Sequence, residues 1–312
     1  MDADFDLVIV GGGAGGMGAA QYGARANLRT LVIEEMAHGG QALLIDKLEN
    51  YPGLVPVVDG YTWSENMRSQ AEEFGAEIRS GSVNAIRKEG DLMAVETTDS
   101  TIHAKAVVLA TGAKHRHVGV KGEEEFSGRG VSYCATCDGP FFKGKPMVVV
   151  GGGDAACDEA MYLSKLTDRI IMVHRKDRFR AQKALADRVL SNPKIEMHWE
   201  TVIEEIKGVK SVNAVVLRNL KTSQITEVTA SAVFVFVGSI PQTAAVPQDV
   251  ARDEAGSIVT NDRMETSLPG LYAVGDVRTT PFRQVITAVA DGAVAAHCAA
   301  QYIDELEGHA YK

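Results

Sequence analysis

Cys134 and Cys137 are separated by Ala135 and Thr136 and followed at once by Asp138. Thiols at this spacing can close a small disulfide ring and reopen it by accepting two electrons. A carboxylate beside them can take or give the proton that thiolate chemistry requires. A zinc site with His115 and His117 as further ligands is the competing arrangement. Structural zinc usually pairs such a motif with a second close pair, and His115-Arg116-His117 is tighter than the usual His-x₃₋₅-His, so no metal is expected. Cys157 and Cys298 lie in alanine-rich stretches and read as small buried hydrophobes.

Two glycine clusters point to a second chemistry. Gly11-Gly12-Gly13-Ala14-Gly15-Gly16 follows the apolar run ending at Val10, and Gly151-Gly152-Gly153-Asp154-Ala155-Ala156 follows Met147–Val150. In a dinucleotide fold the first glycine permits a tight turn and the second lets a pyrophosphate approach the backbone. The third lets the helix pack closely, and the helix N-terminus stabilises the negative charge. Gly11, Gly13 and Gly16 fit this pattern. Glu34 lies 21 residues beyond Gly13, where an acid can hold a ribose diol, and Glu35 takes that place if the strand is shifted by one. In the second cluster Ala156 replaces the third glycine. The same count from Gly153 reaches His174, followed by Arg175, Lys176 and then Arg180. A carboxylate there would repel a 2′-phosphate, whereas these cations attract it, so NADPH is expected at the second cluster. A hydride donor and a disulfide need an intermediary between them, and a flavin is one, so FAD is expected at the first.

The elements that must position these groups repeat. After the first cluster, Ala19–Ala26 reads as helix and Thr30–Ile33 as strand. After the second, Glu159–Leu166 reads as helix and Ile170–Val173 as strand. Each is a βαβ unit, which implies a parallel sheet. The strands Ala106–Ala110, ending at Thr111-Gly112, and Ala232–Val237, ending at Gly238, read as exits from the two domains. Residues 244–312 hold one clear strand, Leu271–Val274, and a long helix starting near Arg283, too little to fold alone. The expected α/β architecture is therefore two Rossmann-like dinucleotide-binding domains, one inserted into the other. Residues 1–117 and 244–312 form the FAD domain, and residues 118–243 form the NADPH domain carrying the cysteine pair.

Composition is consistent with this. The 312 residues are 45% hydrophobic and 23% charged, as in an ordinary globular protein of about two domains. No apolar run approaches the ~18 residues of a membrane span. Met1-Asp2-Ala3-Asp4 is acidic and unlike a secretory signal, so a cytoplasmic location is expected. A net charge of −9 argues against nucleic-acid binding, yet residues 118–241 carry 17 Lys and Arg against 15 Asp and Glu. That near-neutral middle suits an anionic ligand.

Together these residues closely resemble the low-molecular-weight, bacterial-type thioredoxin reductases along essentially the whole chain. The most specific marker is Cys134-Ala-Thr-Cys137-Asp138-Gly139 just before the second glycine cluster. Further matches are Gly39-Gly40-Gln41, Glu49-Asn50-Tyr51-Pro52-Gly53, Ala110-Thr111-Gly112-Ala113, Thr266–Val277 and Arg283-Gln284-Val285. The resemblance implies FAD held by the first loop including Ala14, with Glu34, Gly40, Gln41, Asn50, Thr111, Gly112, Asp276 and Arg283 to Val285. It implies NADPH held by Gly151, Gly153, Asp154, Ala156, His174, Arg175, Lys176, Arg180 and Gly238. It further implies a homodimer, thioredoxin as the protein substrate, and an inserted domain that rotates about hinges near Gly112 to Gly119 and Gly238 to Thr243. Cys137 would face the flavin, Cys134 would attack the substrate and Asp138 would act as acid and base, an order of the cysteines that spacing alone does not give.

Two departures stand out. Lys176 replaces a common second arginine, a point charge in place of a fork. Ala42-Leu43-Leu44-Ile45-Asp46 replaces a threonine-rich segment. Three other functions compete. The reductase of a peroxiredoxin system usually carries an extra N-terminal thioredoxin-like domain, whereas here the first strand begins by Asp6. A dithiol oxidase has no need of the second loop, and a nucleotide-binding redox sensor would not turn over NADPH.

Overall fold

A computed structural model describes residues 3–45 and 47–309. Met1 and Asp2 of the acidic start, and Asp46 of the segment after Gln41, lie outside these. The chain divides into two units, residues 1–114 with 240–312, and residues 115–239. These boundaries fall three residues before the expected first one and four before the second. Main-chain bonds show why: the Arg116 N–H donates to Gly238 O inside the inserted unit, while the Gln242 N–H donates to Gly112 O inside the other.

In the discontinuous unit the parallel strands run in the order Glu77–Ser80, Thr30–Glu34, Phe5–Val10 and Thr101–Leu109. The last strand changes neighbours along its length. Its start pairs antiparallel with Leu92–Thr97, itself paired with Val83–Glu89, and its end pairs parallel with Leu271–Ala273. The first strand is buried on both faces, which is why it reads as a continuous apolar run. Leu7 and Ile9 pack towards Met17, Trp63, Ala295 and Ala299 on the helical side. Val8 and Val10 pack with Val246, Val250, Ile258 and Val277 on the other. Both groups of partners include residues from the tail beyond 244, so the tail covers both faces of the sheet and completes this unit.

The inserted unit has a five-stranded parallel sheet in the order Ile195–His198, Ile170–Val173, Met147–Gly151, Ala232–Phe236 and Val131–Ser132. A separate antiparallel sheet of Thr201–Gly208, Val212–Asn219 and Ile225–Thr229 packs Ile203, Ile206, Val215 and Leu217 against one of its faces. The helix Asp154–Leu163 and Val189 cover the opposite face, with Cys157 fully buried between them.

Both loop helices start earlier than the sequence pattern predicts, at Ala14 and Asp154. Gly15, Gly16 and Gly18 are poor helix formers, but all three are buried, and tertiary packing overrides their propensity.

Candidate active site

The first glycine loop is shaped by backbone crowding. Gly11 has φ +103°, and a Cβ there would lie 2.4 Å from Ala110 O. A Cβ on Gly16 would lie 1.9 Å from Gly11 O, so only glycine allows this helix to start so close to the strand. Gly13 is the N-cap of the helix Ala14–Arg25, and a Cβ on it would meet nothing nearer than Gly40 Cα at 4.0 Å. The backbone here is open to a ligand, next to the unsatisfied amides of the helix start.

The structure also separates Glu34 from Glu35. Half-buried Glu34 ends its strand, and its carboxylate accepts the Gly12 N–H at 2.6 Å and the Met36 N–H at 2.8 Å. The exposed Glu35 instead accepts the Ser82 hydroxyl at 3.0 Å. Glu34 is thus the carboxylate beside the loop, pre-set by main-chain donors and with lone pairs to spare for a diol.

Gly39 and Gly40 close over this loop, with the Gly39 N–H donating to Gly12 O at 2.7 Å. Gln41 donates from Nε2 to Ala113 O. Thr111 exchanges hydrogen bonds with Gln242, its hydroxyl to Gln242 O and Gln242 Nε2 to Thr111 O, both at 2.6 Å. Asn50 Nδ2 donates to Gln284 Oε1 at 2.9 Å. Gln284 in turn is the N-cap of the helix Val285–Leu306, in a capping box with Thr287. Asp276 is half-buried, and among the described residues nothing donates a hydrogen bond to its carboxylate. Burial pushes its pKa up, Arg283 pulls it down in part, and Asp291 adds to the rise. A polar group left without a donor in this way suits a hydroxyl-bearing ligand.

At the second loop, Gly151 has φ +148°, and a Cβ there would lie 2.4 Å from Phe236 O. Ala156 fits where the first loop has glycine, and its Cβ is buried against Gly151. Gly153 caps the helix, while Asp154 is taken up by Gln182, which donates to it from N at 2.7 Å and from Nε2 at 2.9 Å. His174 lies against Gly152 and packs on Phe179 and Trp199. Burial lowers its pKa, and Arg175, Arg180 and Lys176 lower it further. The Arg180 N–H donates to Gly152 O at 2.7 Å, and its guanidinium reaches to 3.5 Å from the Cβ position of Gly153. The side chains of Arg175, Lys176 and Arg180 are exposed, and among the described residues no carboxylate neutralises them. Unpaired cations beside a phosphate loop suit a 2′-phosphate.

Cys134 and Cys137 form a disulfide with a Cα–Cα distance of 5.4 Å. Cys134 caps the short helix Ala135–Asp138, and its Sγ accepts the Cys137 N–H at 3.1 Å. Cys137 is exposed, and Cys134 and Asp138 are half-buried. The pair and the second loop belong to the same unit. One residue absent from the sequence reading, Ser132, bonds both ends of Cys134: its hydroxyl accepts the Cys134 N–H and donates to Cys134 O, each at 3.1 Å. A serine two residues before the cysteine was the available signal. Among the described residues no group of three or more His, Cys, Asp or Glu is placed to hold a metal. His115 and His117 instead pack on Tyr133.

Comparison with known proteins shows the family. Residues 5–292 match the family model described as pyridine nucleotide-disulphide oxidoreductase. The chain is 55% identical over 307 residues to a thioredoxin reductase of Treponema pallidum, covering 98% of this chain and all of that protein. Among solved structures, the Lactococcus lactis thioredoxin reductase in its FR conformation superposes with a TM-score of 0.94 at 42% identity, covering 97% of this chain and 100% of that one. The thioredoxin reductase of T. acidophilum gives 0.92 at 35% identity, covering 98% and 100%. The chain therefore belongs to the pyridine nucleotide-disulphide oxidoreductase family, and within it to the bacterial-type thioredoxin reductases, NADPH-dependent flavoproteins.

Proposed function

We propose that this chain passes two electrons from NADPH through FAD to the Cys134–Cys137 disulfide and on to oxidised thioredoxin. The observation that carries this reading is the closed disulfide with Asp138 beside it, on the same unit as a phosphate loop flanked by unpaired cations.

The residues present suit both cofactors. The open backbone at Gly13, the pre-set Glu34 and the Asp276 carboxylate would hold FAD, with Gly40, Gln41, Asn50, Thr111, Gly112 and Arg283 to Val285 around it. Gly151, Gly153, Ala156 and Gly238 would face the NADPH backbone, and His174, Arg175, Lys176 and Arg180 its adenosine phosphate. When bound, FAD supplies a ring that takes a hydride and returns two electrons to a disulfide. Cys137 is the sulfur nearer the flavin in this reading, and Asp138 takes or gives the proton that each change of thiol state requires. Cys134, once freed, attacks the thioredoxin disulfide. The mixed disulfide is then resolved by Cys137, which restores the oxidised pair.

No helix of the described residues is long and apolar enough to cross a membrane. Work on a cytoplasmic protein disulfide, in a homodimer as the family resemblance implies, completes the proposal.

The purified protein should be yellow, with one FAD per chain. Anaerobic NADPH titration should consume two equivalents per flavin in the wild type and one in Cys134→Ser. NADPH should drive thioredoxin reduction only in the wild type. An unaltered titration in Cys134→Ser, or no thioredoxin reduction by the flavin-loaded protein, would overturn the reading.

A further inference from the structure

Tyr133 stands one residue before the redox pair and is tied to the segment that opens the same unit. Its hydroxyl donates to Glu123 Oε1 at 2.8 Å and lies 2.7 Å from His117 Nδ1. A phenol has a single proton, so His117 is the donor in the second contact. The Tyr133 ring also packs on two imidazoles, with centroids 4.8 Å from His117 and 6.1 Å from His115. Glu123 is 2% exposed, and its carboxylate also accepts the Val118 N–H at 2.9 Å and the Gly119 N–H at 2.6 Å. Tyr133 therefore plugs into an acceptor that the backbone of 118–119 already holds in place. On its other side lies buried Ser132, whose hydroxyl bonds both the N–H and the carbonyl of Cys134.

We propose that Tyr133 and Ser132 are positioning residues for the redox pair, holding the Cys134 backbone in one place whether the disulfide is closed or open. This rests on the reading of Cys134–Cys137 as the site of electron exit.

The chemistry needs such a device. Reduction breaks the S–S bond, adds two electrons and two protons, and removes the covalent tie between the cysteines. Nothing about a sulfur contact can then be relied on to keep Cys134 placed for attack on a second disulfide. The Tyr133 and Ser132 contacts use no sulfur, so they survive reduction. The phenol also stays protonated across the working range, because burial and the Glu123 carboxylate both push its ionisation up. Held backbone raises the effective concentration of one thiol at the other, and so favours the closed ring at equilibrium.

The test uses the FAD-loaded enzyme equilibrated with dithiothreitol and its cyclic disulfide, the former giving up the two electrons and two protons. The fraction of Cys134 and Cys137 present as dithiol is read by alkylation and mass. Tyr133→Phe keeps the ring and removes one hydroxyl. It should shift the equilibrium constant about two- to tenfold towards the dithiol, because the freed backbone lowers the effective concentration of one thiol at the other, with the worth of one hydrogen bond as the ceiling. Ser132→Ala should shift it in the same direction. A loss of packing alone would lower the melting temperature and leave the equilibrium of the folded enzyme where it was. Wild-type equilibrium constants in both variants would overturn the proposal. Failure of the underlying reading looks different: wild-type enzyme would then take up only one equivalent of NADPH per flavin.

Discussion

Arg175, Lys176 and Arg180 are the residues whose chemistry is most exposed to direct test. They are not equivalent. The backbone of Arg180 is tied to the loop by its N–H on Gly152 O, and its guanidinium is a planar fork, whereas Lys176 offers a point charge on a flexible stem. Removing one charge-assisted contact to a phosphate costs roughly ten- to a hundredfold in affinity. Arg180→Ala should therefore raise the KM for NADPH by that factor and leave the KM for NADH nearly unchanged, with Arg175→Ala behaving alike. Steady-state kinetics with both nucleotides check this, and equal losses would make the cluster a solvated face. At this scale the sequence was informative wherever a residue follows from counting along a βαβ unit. Glu34 and His174 were both found in that way. Counting favoured Glu34 and left Glu35 for a strand shifted by one; the contact that sets Glu34 beside the loop is the Gly12 N–H, a main-chain donor with no sequence signature.

At the scale of elements, the first strand is tied to its neighbours by charge as well as by packing. Asp6 bonds Arg29, from Nε at 3.2 Å and from Nη2 at 3.1 Å, and pairs with Lys105 at 2.7 Å, with only 12% of its side chain exposed. Burial alone would raise its pKa, but the bonds from Arg29 and Lys105 overcome that and bring it down to about 2. A carboxylate depressed in the folded state stabilises the fold above its unfolded value near 3.8, and loses that contribution as pH falls through about 2. The gain is at most about 2 kcal/mol. Urea unfolding should show Asp6→Asn less stable than wild type at pH 6, with the gap closing between pH 4 and pH 2; a gap independent of pH would assign the effect to packing. The strands around Asp6 were legible because burial on both faces makes them unbroken apolar runs. The hairpin Val83–Glu89 with Leu92–Thr97, and the sheet from Thr201 to Thr229, escaped the sequence reading. Val83–Glu89 buries Ile86 alone, Leu92–Thr97 buries Met93, Ala94 and Val95 in a row, and a register shift between Ile203 and Glu205 sets buried Ile203 and Ile206 three apart, so these strands carry no clean period of two to read.

For the whole molecule, the consequence of one chain entering and leaving a unit twice is kinetic. The second glycine loop and the Cys134–Cys137 pair both belong to residues 115–239, and the first loop belongs to the other unit. One flavin must receive electrons from a nucleotide and give them to a disulfide that are carried by the same body. If both approach the same face of the ring they must take turns, and Cys134 must afterwards reach a protein as large as thioredoxin. Reorientation of the inserted unit about its two chain connections, near Gly112 to Gly119 and Gly238 to Thr243, meets all three demands, and such motions take microseconds to milliseconds, fast enough for ordinary turnover. A disulfide engineered to join the two units in a single orientation should then leave one half-reaction intact and block the other. Stopped-flow measurement would follow flavin reduction by NADPH and flavin reoxidation by the disulfide separately. Releasing the cross-link with a mild reductant should restore both. Steady-state turnover at the full rate in the cross-linked protein would rule the alternation out.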